Sequence, residues 1–141
     1  MITSFRDEHS FLSNFTSSPF VYADGKTYPT VEHFFQAMKT TDAIQREEVR
    51  LAITPGKAKR MGKKVTLRSD WGEIKERVME YGLRKKFDIP YLRKLLLDIK
   101  GVKLIEGNTW GDRTWGAVHN GQNWEGKNLL GNMLMKIQNE L

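Results

Sequence analysis

The pattern of apolar and polar residues changes from strand-like to helical within the first forty residues. Phe20-Val21-Tyr22 followed by Ala23-Asp24-Gly25-Lys26 is typical of a short strand that enters an Asp-Gly turn. Thr30 is a good N-cap residue, and the apolar residues of segment 31–38 recur at helical spacing. The pattern therefore predicts a short strand followed by a helix over VEHFFQAMK.

Two shorter helices are predicted next. Asp42 with Gln45 resembles a capping box for a helix that runs through Leu51. Pro55 suits the first turn of the following segment, GKAKRMGKK, which gives this helix a basic face.

Three longer segments carry apolar stripes at helical spacing. The first is capped by Asp70 with Glu73, the second is opened by Asp88 and Pro90, and the third closes the chain. The residues predicted to face inward are Trp71, Ile74, Val78 and Tyr81 in the first, Leu92, Leu95, Leu96 and Ile99 in the second, and Leu129, Leu130, Met133, Leu134, Ile137 and Leu141 in the third.

Little strand is predicted in the second half of the chain. Residues 102–106 alternate loosely as a strand after Gly101, and a further strand is predicted at 114–118, within a stretch that holds five glycines and three tryptophans. There is no internal repeat, low-complexity tract or linker-like break, so residues 1–141 are expected to form a single domain. The predicted fold class is α+β, mainly helical, with a small sheet.

Composition narrows the chemistry. The chain has no cysteine, which excludes a disulfide scaffold, a cysteine nucleophile and a thiolate zinc site. No apolar run approaches the ~20 residues of a membrane span, and the first residues are too charged for a signal peptide, so a cytoplasmic protein without a membrane partner is expected. A formal net charge of +6 points weakly to anionic partners such as phosphates or nucleic acid.

A polar face of the first predicted helix is the leading candidate for chemistry. Glu32, Gln36 and Lys39 follow i, i+4, i+7 spacing and share one side, with Glu32 and Lys39 about 10.5 Å apart along the axis. A buried carboxyl can serve as general acid or base, and a desolvated lysine can attack a sugar aldehyde. The alternative is an exposed polar face in which Glu32 interacts favourably with the helix dipole.

The glycine- and tryptophan-rich stretch is the second candidate. Its glycines allow close approach of the backbone to a ligand, and Asp112 adds a carboxylate. The amides of Asn123 and Asn128 could bind sugar hydroxyls or a base edge. The alternative for Trp110, Trp115 and Trp124 is that they fill the core.

Basic residues cluster in and after the helix opened by Pro55. A helix N-terminus beside glycines such as Gly56 and Gly62 can bind a phosphate, whereas a solvated basic face is the alternative. Arg6 is an isolated candidate for the same role. No histidine has metal-ligand spacing, and His33 is expected to be structural because it points away from the face of Lys39. The cluster comprises Lys57, Lys59, Arg60, Lys63, Lys64 and Arg68.

Several segments together resemble one family, the NADAR superfamily of YbiA-like N-glycosidases. They are FLSNF (11–15), YPTVEHFFQAMK (28–39), AKRMGKK with RSDW (58–71), TWGDRTWG (109–116) and GKNLLGNMLM (126–135). The resemblance covers nearly the whole chain and is most specific in VEHFFQAMK and in the WGDRTWG and GKNLLG segments. It implies a compact single-domain YbiA-like fold.

The resemblance also implies a hydrolase that cleaves an N-glycosidic bond at a ribose without a metal or other cofactor. The family substrates are of two kinds. One is the phosphoribosylamino-pyrimidine intermediates of riboflavin synthesis, and the other is ADP-ribose attached to guanine bases of DNA or RNA. The expected partner is therefore a phosphorylated ribosyl or ADP-ribosyl substrate.

Roles carried over by position complete the hypothesis. Glu32 matches the catalytic glutamate, Lys39 the helix lysine that would capture the opened sugar as an imine, and Asp112 the acid that would orient the ribose hydroxyls. Phosphate is expected on Arg60, Lys59 or Arg6, and the base or ribose between tryptophans. The predicted substrate-binding residues are Arg6, Asn14, Gln36, Arg60, Gly62, Trp71, Trp110, Trp115 and Asn128.

Two other functions remain open at this point. Basic residues interleaved with aromatics also suit a non-catalytic nucleotide or nucleic-acid binding module, which needs no carboxylate and amine on one face. A structural partner protein is the third possibility, and it predicts no pocket.

Overall fold

The computed structural model describes residues 1–141. About 47% of the chain is helical, in seven helices, and two small two-stranded sheets are present, which confirms the α+β, mainly helical class. In chain order the elements are a 3-10 helix (Asp7–Leu12), β1 (Phe20–Val21), β2 (Thr27–Tyr28), α1 (Val31–Ala37), α2 (Ala43–Arg50), α3 (Pro55–Gly62), α4 (Trp71–Lys86), α5 (Pro90–Asp98), β3 (Val118–His119), β4 (Trp124–Glu125) and α6 (Leu129–Glu140).

Two compact units can be recognised in the chain. We name Asn14–Ile89 the central unit, and Met1–Ser13 together with Pro90–Leu141 the terminal unit.

The central unit is organised around α1. This helix contacts α2, α3 and α4, and all seven of its residues are buried. β1 and β2 form the antiparallel hairpin expected around the Asp-Gly turn. The ring of Phe34 on α1 packs against Phe20, Tyr22, Tyr28 and Tyr81, with centroids 4.9–5.6 Å apart.

Three predicted helix starts in this unit are confirmed. The side chains of Thr30, Asp42 and Thr54 each accept a hydrogen bond from the backbone three residues downstream, and so satisfy an N–H that the helix leaves unpaired.

Asp70 is the N-cap residue of α4, as predicted, but its side chain does not cap the helix. Asp70 makes no capping bond because its two carboxylate oxygens accept from Arg68, at 2.6 Å from Nε and 3.2 Å from Nη2. The predicted stripe also shifts, since Tyr81 is 38% exposed. Gly82 sits against Val31 and Phe34 of α1, and the buried residues of α4 are Trp71, Met79, Gly82, Leu83 and Lys86.

The terminal unit packs the 3-10 helix against α5, and its strands are short. The strand predicted at 102–106 is wrong: only a bridge between Ile2 and Leu104 forms there. At 114–118 the chain makes a second bridge, between Gly107 and Ala117, and the paired strand begins at Val118. On α5, Leu92 and Leu96 are buried as predicted, whereas Leu95 is 39% exposed.

Candidate active site

The buried position of Glu32 and Gln36 excludes the exposed polar face. Glu32 is 6% exposed and Gln36 is 4% exposed. The local sequence enforces this burial, because His33 on the neighbouring position is tied down at both ring nitrogens. Nδ1 lies 2.8 Å from the Thr30 hydroxyl and Nε2 lies 2.9 Å from the carbonyl of Ala52, so His33 is structural, as predicted.

Gln36 orients the Glu32 carboxylate. Its Nε2 donates to Glu32 Oε1 at 2.8 Å, while its own Oε1 is buried without a hydrogen-bond partner. The carboxamide lies directly on Gly62 of α3. A Cβ at position 62 would overlap Gln36 Oε1 and lie 2.7 Å from its Cδ, so only glycine leaves room for this side chain.

Lys39 lies beyond the end of α1, not on it as predicted. The last turn tightens, because the Lys39 N–H donates to the carbonyl of Gln36 three residues back, at 3.3 Å. The Lys39 carbonyl in turn accepts from the Arg68 N–H at 2.8 Å. The lysine is half-buried, and its Nζ stands 5.8 Å from the ring centroid of Phe35.

Burial shifts the pKa values of Glu32 and Lys39 in the directions that favour the neutral form of each side chain. Desolvation raises the pKa of Glu32 above its ordinary value, opposed by the Gln36 hydrogen bond and by the charges of Lys59 and Lys39. Desolvation lowers the pKa of Lys39, opposed by the charge of Glu32 and reinforced by Lys63 and Lys59. A protonated carboxyl and an unprotonated amine are the forms needed to donate a proton and to attack carbon.

The basic cluster of α3 contributes charge to this site. Lys59 acts on both Glu32 and Lys39, and Lys63 acts on Lys39. Arg60 is exposed, and its Nη1 lies near Gly56, where a Cβ would be 3.8 Å away. The positive charge of these residues has the sign that binds phosphate.

Trp71 packs against Phe35, the aromatic ring that Lys39 Nζ approaches. It is 8% exposed, and its ring meets Phe35 edge-on at 5.0 Å. Because Phe35 is also the ring beneath Lys39, Trp71 fixes the surface on which the amine rests. The prediction that Trp71 binds substrate stays a prediction.

Asn14 lies at the first turn of α1. Its carbonyl accepts from the Glu32 N–H at 3.1 Å, and its Nδ2 contacts Met79 Sδ at 3.4 Å. Its Oδ1 is buried without a partner, like Oε1 of Gln36. Two unpaired acceptors at residues that contact Glu32 call for a donor, such as a sugar hydroxyl.

Asp112 belongs to the terminal unit, where its loop is locked by Asn108. The Asn108 amide donates to the carbonyl of Asp112 at 2.8 Å and accepts from its N–H at 2.9 Å. Asp112 Oδ1 accepts from the N–H groups of Thr114 and Trp115, both at 3.0 Å. Its Oδ2 therefore remains the oxygen that can face a ligand.

Asn128 is engaged in holding the backbone of this unit. Its Nδ2 donates to the carbonyl of Leu104 at 2.9 Å and its Oδ1 accepts from the Glu106 N–H at 3.0 Å. The residue has a φ of 51°, a left-handed conformation. Both amide groups are thus occupied, and substrate binding by Asn128 stays a prediction.

Arg6 and Trp110 line a cleft of about 470 Å³ within the terminal unit, and the N–H of the half-buried Trp115 donates to Asp112 Oδ1. The structure thus groups the predicted site residues by unit. The central unit holds Asn14, Glu32, Gln36, Lys39, Arg60, Gly62 and Trp71, and the terminal unit holds Arg6, Trp110, Asp112, Trp115 and Asn128.

The sequence analysis did not identify two residues that position candidate site residues, Phe35 and Asn108. Phe35, which carries Lys39, was assigned only to the apolar side of the helix, although its i, i+4 spacing to Lys39 is the signal that could have found it. Asn108 stands four residues before Asp112, a spacing typical of a side chain that closes a loop on its own backbone.

The chain matches the NADAR domain family model over residues 3–141. The chain belongs to the NADAR family. The N-glycosidase YbiA of Shigella boydii is 44% identical to this NADAR chain over 138 residues, which cover 96% of this chain and 83% of that protein. A riboflavin biosynthesis protein of Vibrio vulnificus is 31% identical; the match covers 96% of this chain and 36% of that protein.

Structure comparison agrees. The NMR structure of the Escherichia coli protein YbiA matches this NADAR chain with a TM-score of 0.80 and 42% identity, covering 99% of this chain and 82% of that one. The resemblance stated from the motifs is therefore confirmed. The prediction of a hydrolase that acts on N-glycosyl bonds is also confirmed, because the curated relatives are named N-glycosidases.

The NADAR structure contains six α-helices and one 3-10 helix. None of its helices combines the length and apolar character required to cross a membrane. No group of three or more His, Cys, Asp or Glu side chains could hold a metal ion. Independence from metals and cytoplasmic location stay predictions.

Proposed function

We propose that this chain hydrolyses the C1′–N bond of a ribosylated, phosphorylated base, with Glu32 as the proton donor and acceptor and Lys39 as the nucleophile. The observation that carries the proposal is the burial of Glu32 together with the half-buried position of Lys39. Glu32 and Lys39 influence each other's titration, and burial moves each toward the neutral form that the reaction needs.

The chemistry balances with these two groups and one water. The C1′–N bond breaks, its electron pair goes to the base nitrogen, and Glu32 supplies the proton. The neutral Lys39 amine bonds to C1′ and gives a proton to the Glu32 carboxylate. The lone pair of Lys39 Nζ then opens the sugar ring to form a protonated imine, and the proton held by Glu32 passes to O4′. Water adds to C1′ and gives one proton to the Glu32 carboxylate. The remaining hydroxyl proton passes to Nζ as the C1′–Nζ bond breaks, so the sugar leaves as its aldehyde and both side chains return to their starting forms.

The remaining site residues bind and orient. The unpaired Oδ1 of Asn14 supplies an acceptor for a ribose hydroxyl, and Gln36 is assigned the task of holding the Glu32 carboxyl in place. Lys59 and Arg60 supply positive charge for the phosphate, and Asp112 is assigned the task of orienting the sugar. Each assignment follows from chemistry and from the family resemblance.

The first substrate class is the phosphoribosylamino-pyrimidines of riboflavin synthesis. The Vibrio vulnificus relative is named a riboflavin biosynthesis protein, which supports this class. ADP-ribose on guanine, free or within DNA or RNA, is the second candidate. The basic cluster in and after α3 favours this second candidate, because the affinity for a substrate with several phosphates increases with the number of cations that contact them.

The test is borohydride reduction during turnover. Wild-type protein incubated with phosphoribosylamino-pyrimidine should release the free pyrimidine and ribose 5-phosphate. Borohydride should leave a reduced sugar adduct on Lys39, located by peptide mass spectrometry. Lys39→Arg should abolish the adduct, whereas the matched exposed control Lys64→Arg should retain it. Turnover without an adduct would remove the covalent step.

Glu32→Gln tests the proton-transfer role. General acid–base assistance contributes typically ~10²–10⁴-fold, so we expect a loss of that order in kcat with an unchanged circular dichroism spectrum. Running both substrate classes in parallel also separates the alternatives. Salt-sensitive binding without release of base from either substrate would favour the non-catalytic binding module.

A further inference from the structure

The lysine assigned as nucleophile stands on a short segment, residues 38–40, that follows the last residue of α1. Carbonyls at the end of a helix have no partner within the helix, so other donors must satisfy them. Here all three carbonyls of segment 38–40 accept hydrogen bonds from outside α1. The donors belong to two arginines, Arg46 and Arg68, neither of which has a task in the proposed hydrolysis.

Arg46 on α2 holds the last carbonyl of this segment through two hydrogen bonds. Its Nε and Nη2 both donate to the carbonyl of Thr40, at 3.2 and 2.8 Å. Two N–H groups of one rigid guanidinium that converge on one oxygen fix its direction as well as its distance, and a charged donor makes a stronger hydrogen bond than a neutral one. The residue directly after Lys39 is therefore held in place from α2.

Arg68 holds the two carbonyls before Thr40. Its backbone N–H donates to the Lys39 carbonyl at 2.8 Å, and its Nη1 lies 3.5 Å from the Met38 carbonyl. The carboxylate of Asp70 accepts from Nε and Nη2 of Arg68 and so orients the guanidinium. The shorter of the two Arg68 contacts is a backbone bond that no side-chain substitution removes, so Arg46 is the arginine that mutagenesis can test.

The place of the Lys39 amine depends on the position of this backbone. A lysine side chain is a flexible four-carbon stem, and Nζ lies 5.8 Å from the ring centroid of Phe35 on α1. A shift of segment 38–40 would move the amine relative to this ring. The charges that act on the pKa of Lys39 are those of three other residues, Glu32, Lys63 and Lys59. The contribution of Arg46 is therefore made through the backbone.

We propose that Arg46 is a positioning residue of the active site: by holding the Thr40 carbonyl, it fixes the place from which the Lys39 amine attacks the sugar. This inference rests on the proposed role of Lys39 as nucleophile, and Arg46 needs no contact with the substrate for its task. Misplacement of a reacting group by about 1 Å can cost about 10²-fold in rate. The loss should therefore appear in the rate of attack and not in the concentration of sugar that the site requires.

The experiment measures imine formation at Lys39 separately from hydrolysis. The full chain is incubated with ribose 5-phosphate, whose open form carries an aldehyde, and with cyanoborohydride. The Lys39 amine adds to the aldehyde carbon, water leaves, and hydride reduces the imine to a stable secondary amine. Peptide mass spectrometry gives the initial rate at Lys39 for each sugar concentration, so the maximal rate and the half-saturating concentration are obtained separately.

Three variants distinguish positioning from general stability. Arg46→Met removes both donors and should lower the maximal rate by about 10–100-fold with an unchanged half-saturating concentration. Arg46→Lys keeps the charge and one donor, so its rate should lie between those of Arg46→Met and wild type. The matched control is Arg50→Met on the same helix, which loses bonds to Glu47 and to the Thr27 carbonyl. This control should lose stability but keep the wild-type adduct rate.

The outcomes separate this inference from the proposed function. Equal adduct rates in wild type and Arg46→Met, or an equal loss in Arg50→Met, would overturn the positioning role alone. If Arg46→Met does not fold, Arg46→Lys decides, because a rate below wild type supports the role and a wild-type rate overturns it. No adduct in the wild-type protein would instead contradict Lys39 as the nucleophile, and the positioning role would fall with it.

Discussion

Gly62→Ala should break the geometry that holds the Glu32 carboxylate. A Cβ at this position overlaps Gln36 Oε1 and lies 2.7 Å from Cδ and 3.0 Å from Cβ of the same residue. The carboxamide must therefore move, and the 2.8 Å bond from Gln36 Nε2 to Glu32 Oε1 is lost. Both residues are buried, so the displaced groups have no water to turn to.

The expected cost follows from three contributions. Alanine gains up to about 1 kcal/mol over glycine in a helix. Overpacking costs about 1–3 kcal/mol, and losing a buried hydrogen bond to a charged group costs about 1–3 kcal/mol. The net expectation is a free energy of unfolding lowered by about 1–5 kcal/mol.

Urea unfolding of two glycine variants is the assay. Gly72→Ala on α4 is the matched control, because no atom lies within 4 Å of its Cβ position and it should gain up to about 1 kcal/mol. Repeating Gly62→Ala in a Gln36→Ala background should remove most of the cost. If Gly62→Ala is as stabilising as Gly72→Ala, the contact between Gly62 and Gln36 is refuted.

Activity gives a second measure of the same change. The Gln36 hydrogen bond lowers the pKa of Glu32. Its loss in Gly62→Ala should therefore move the pH dependence assigned to Glu32 to higher pH. An unshifted profile of kcat/KM would mean that Gln36 does not orient the carboxylate.

Three further predictions concern buried polar groups. Because burial raises the pKa of Glu32, the fold binds the proton more tightly than the unfolded chain, and stability falls as pH rises above the unfolded pKa; Glu32→Gln should raise Tm at pH 8 but not at pH 4. Desolvation lowers the pKa of Lys86 to about 7, so stability should rise between about pH 7 and 10.5, a slope that urea titrations should find absent in Lys86→Met. Asn128→Ala loses bonds to Leu104 and Glu106 and should cost about 2–4 kcal/mol in urea unfolding.

Each of these has a contradicting outcome. Equal Tm differences at both pH values would show that the Glu32 charge does not strain the fold. A pH slope that persists in Lys86→Met would place its origin elsewhere. Asn128→Gly keeps the left-handed φ without strain but loses the same bonds, so it should be nearly as unstable; wild-type stability in Asn128→Gly would mean that the backbone bonds contribute little.

Local signals were sufficient where one residue governs an element. Thr30, Asp42 and Pro55 set the starts of α1, α2 and α3 by capping or by a fixed φ, and these starts are confirmed. Asp70 looked like an equivalent cap, but a neighbouring Arg68 competes for its carboxylate. The sequence shows Arg68 and Asp70, but it does not reveal whether the Asp70 carboxylate accepts from the helix backbone or from Arg68.

The site was predictable in composition but not in geometry. Glu32 and Lys39 were identified by spacing and resemblance, yet their burial depends on α3 and α4 packing onto α1. The contact of Gln36 with Gly62 joins positions far apart in the chain. Such contacts follow from tertiary packing, which has no local signature.

The complete burial of α1 has a consequence for how this enzyme could diversify. Every position from Val31 to Ala37 is buried, so a change of one residue on the side of Glu32 and Gln36 also disturbs the aromatic packing on the other side. Mutational tolerance should therefore be lowest on this helix. Directed evolution of substrate preference would have to draw its variation from exposed positions elsewhere, such as Lys59 and Arg60 on α3 and Trp110 in the tryptophan-rich loop.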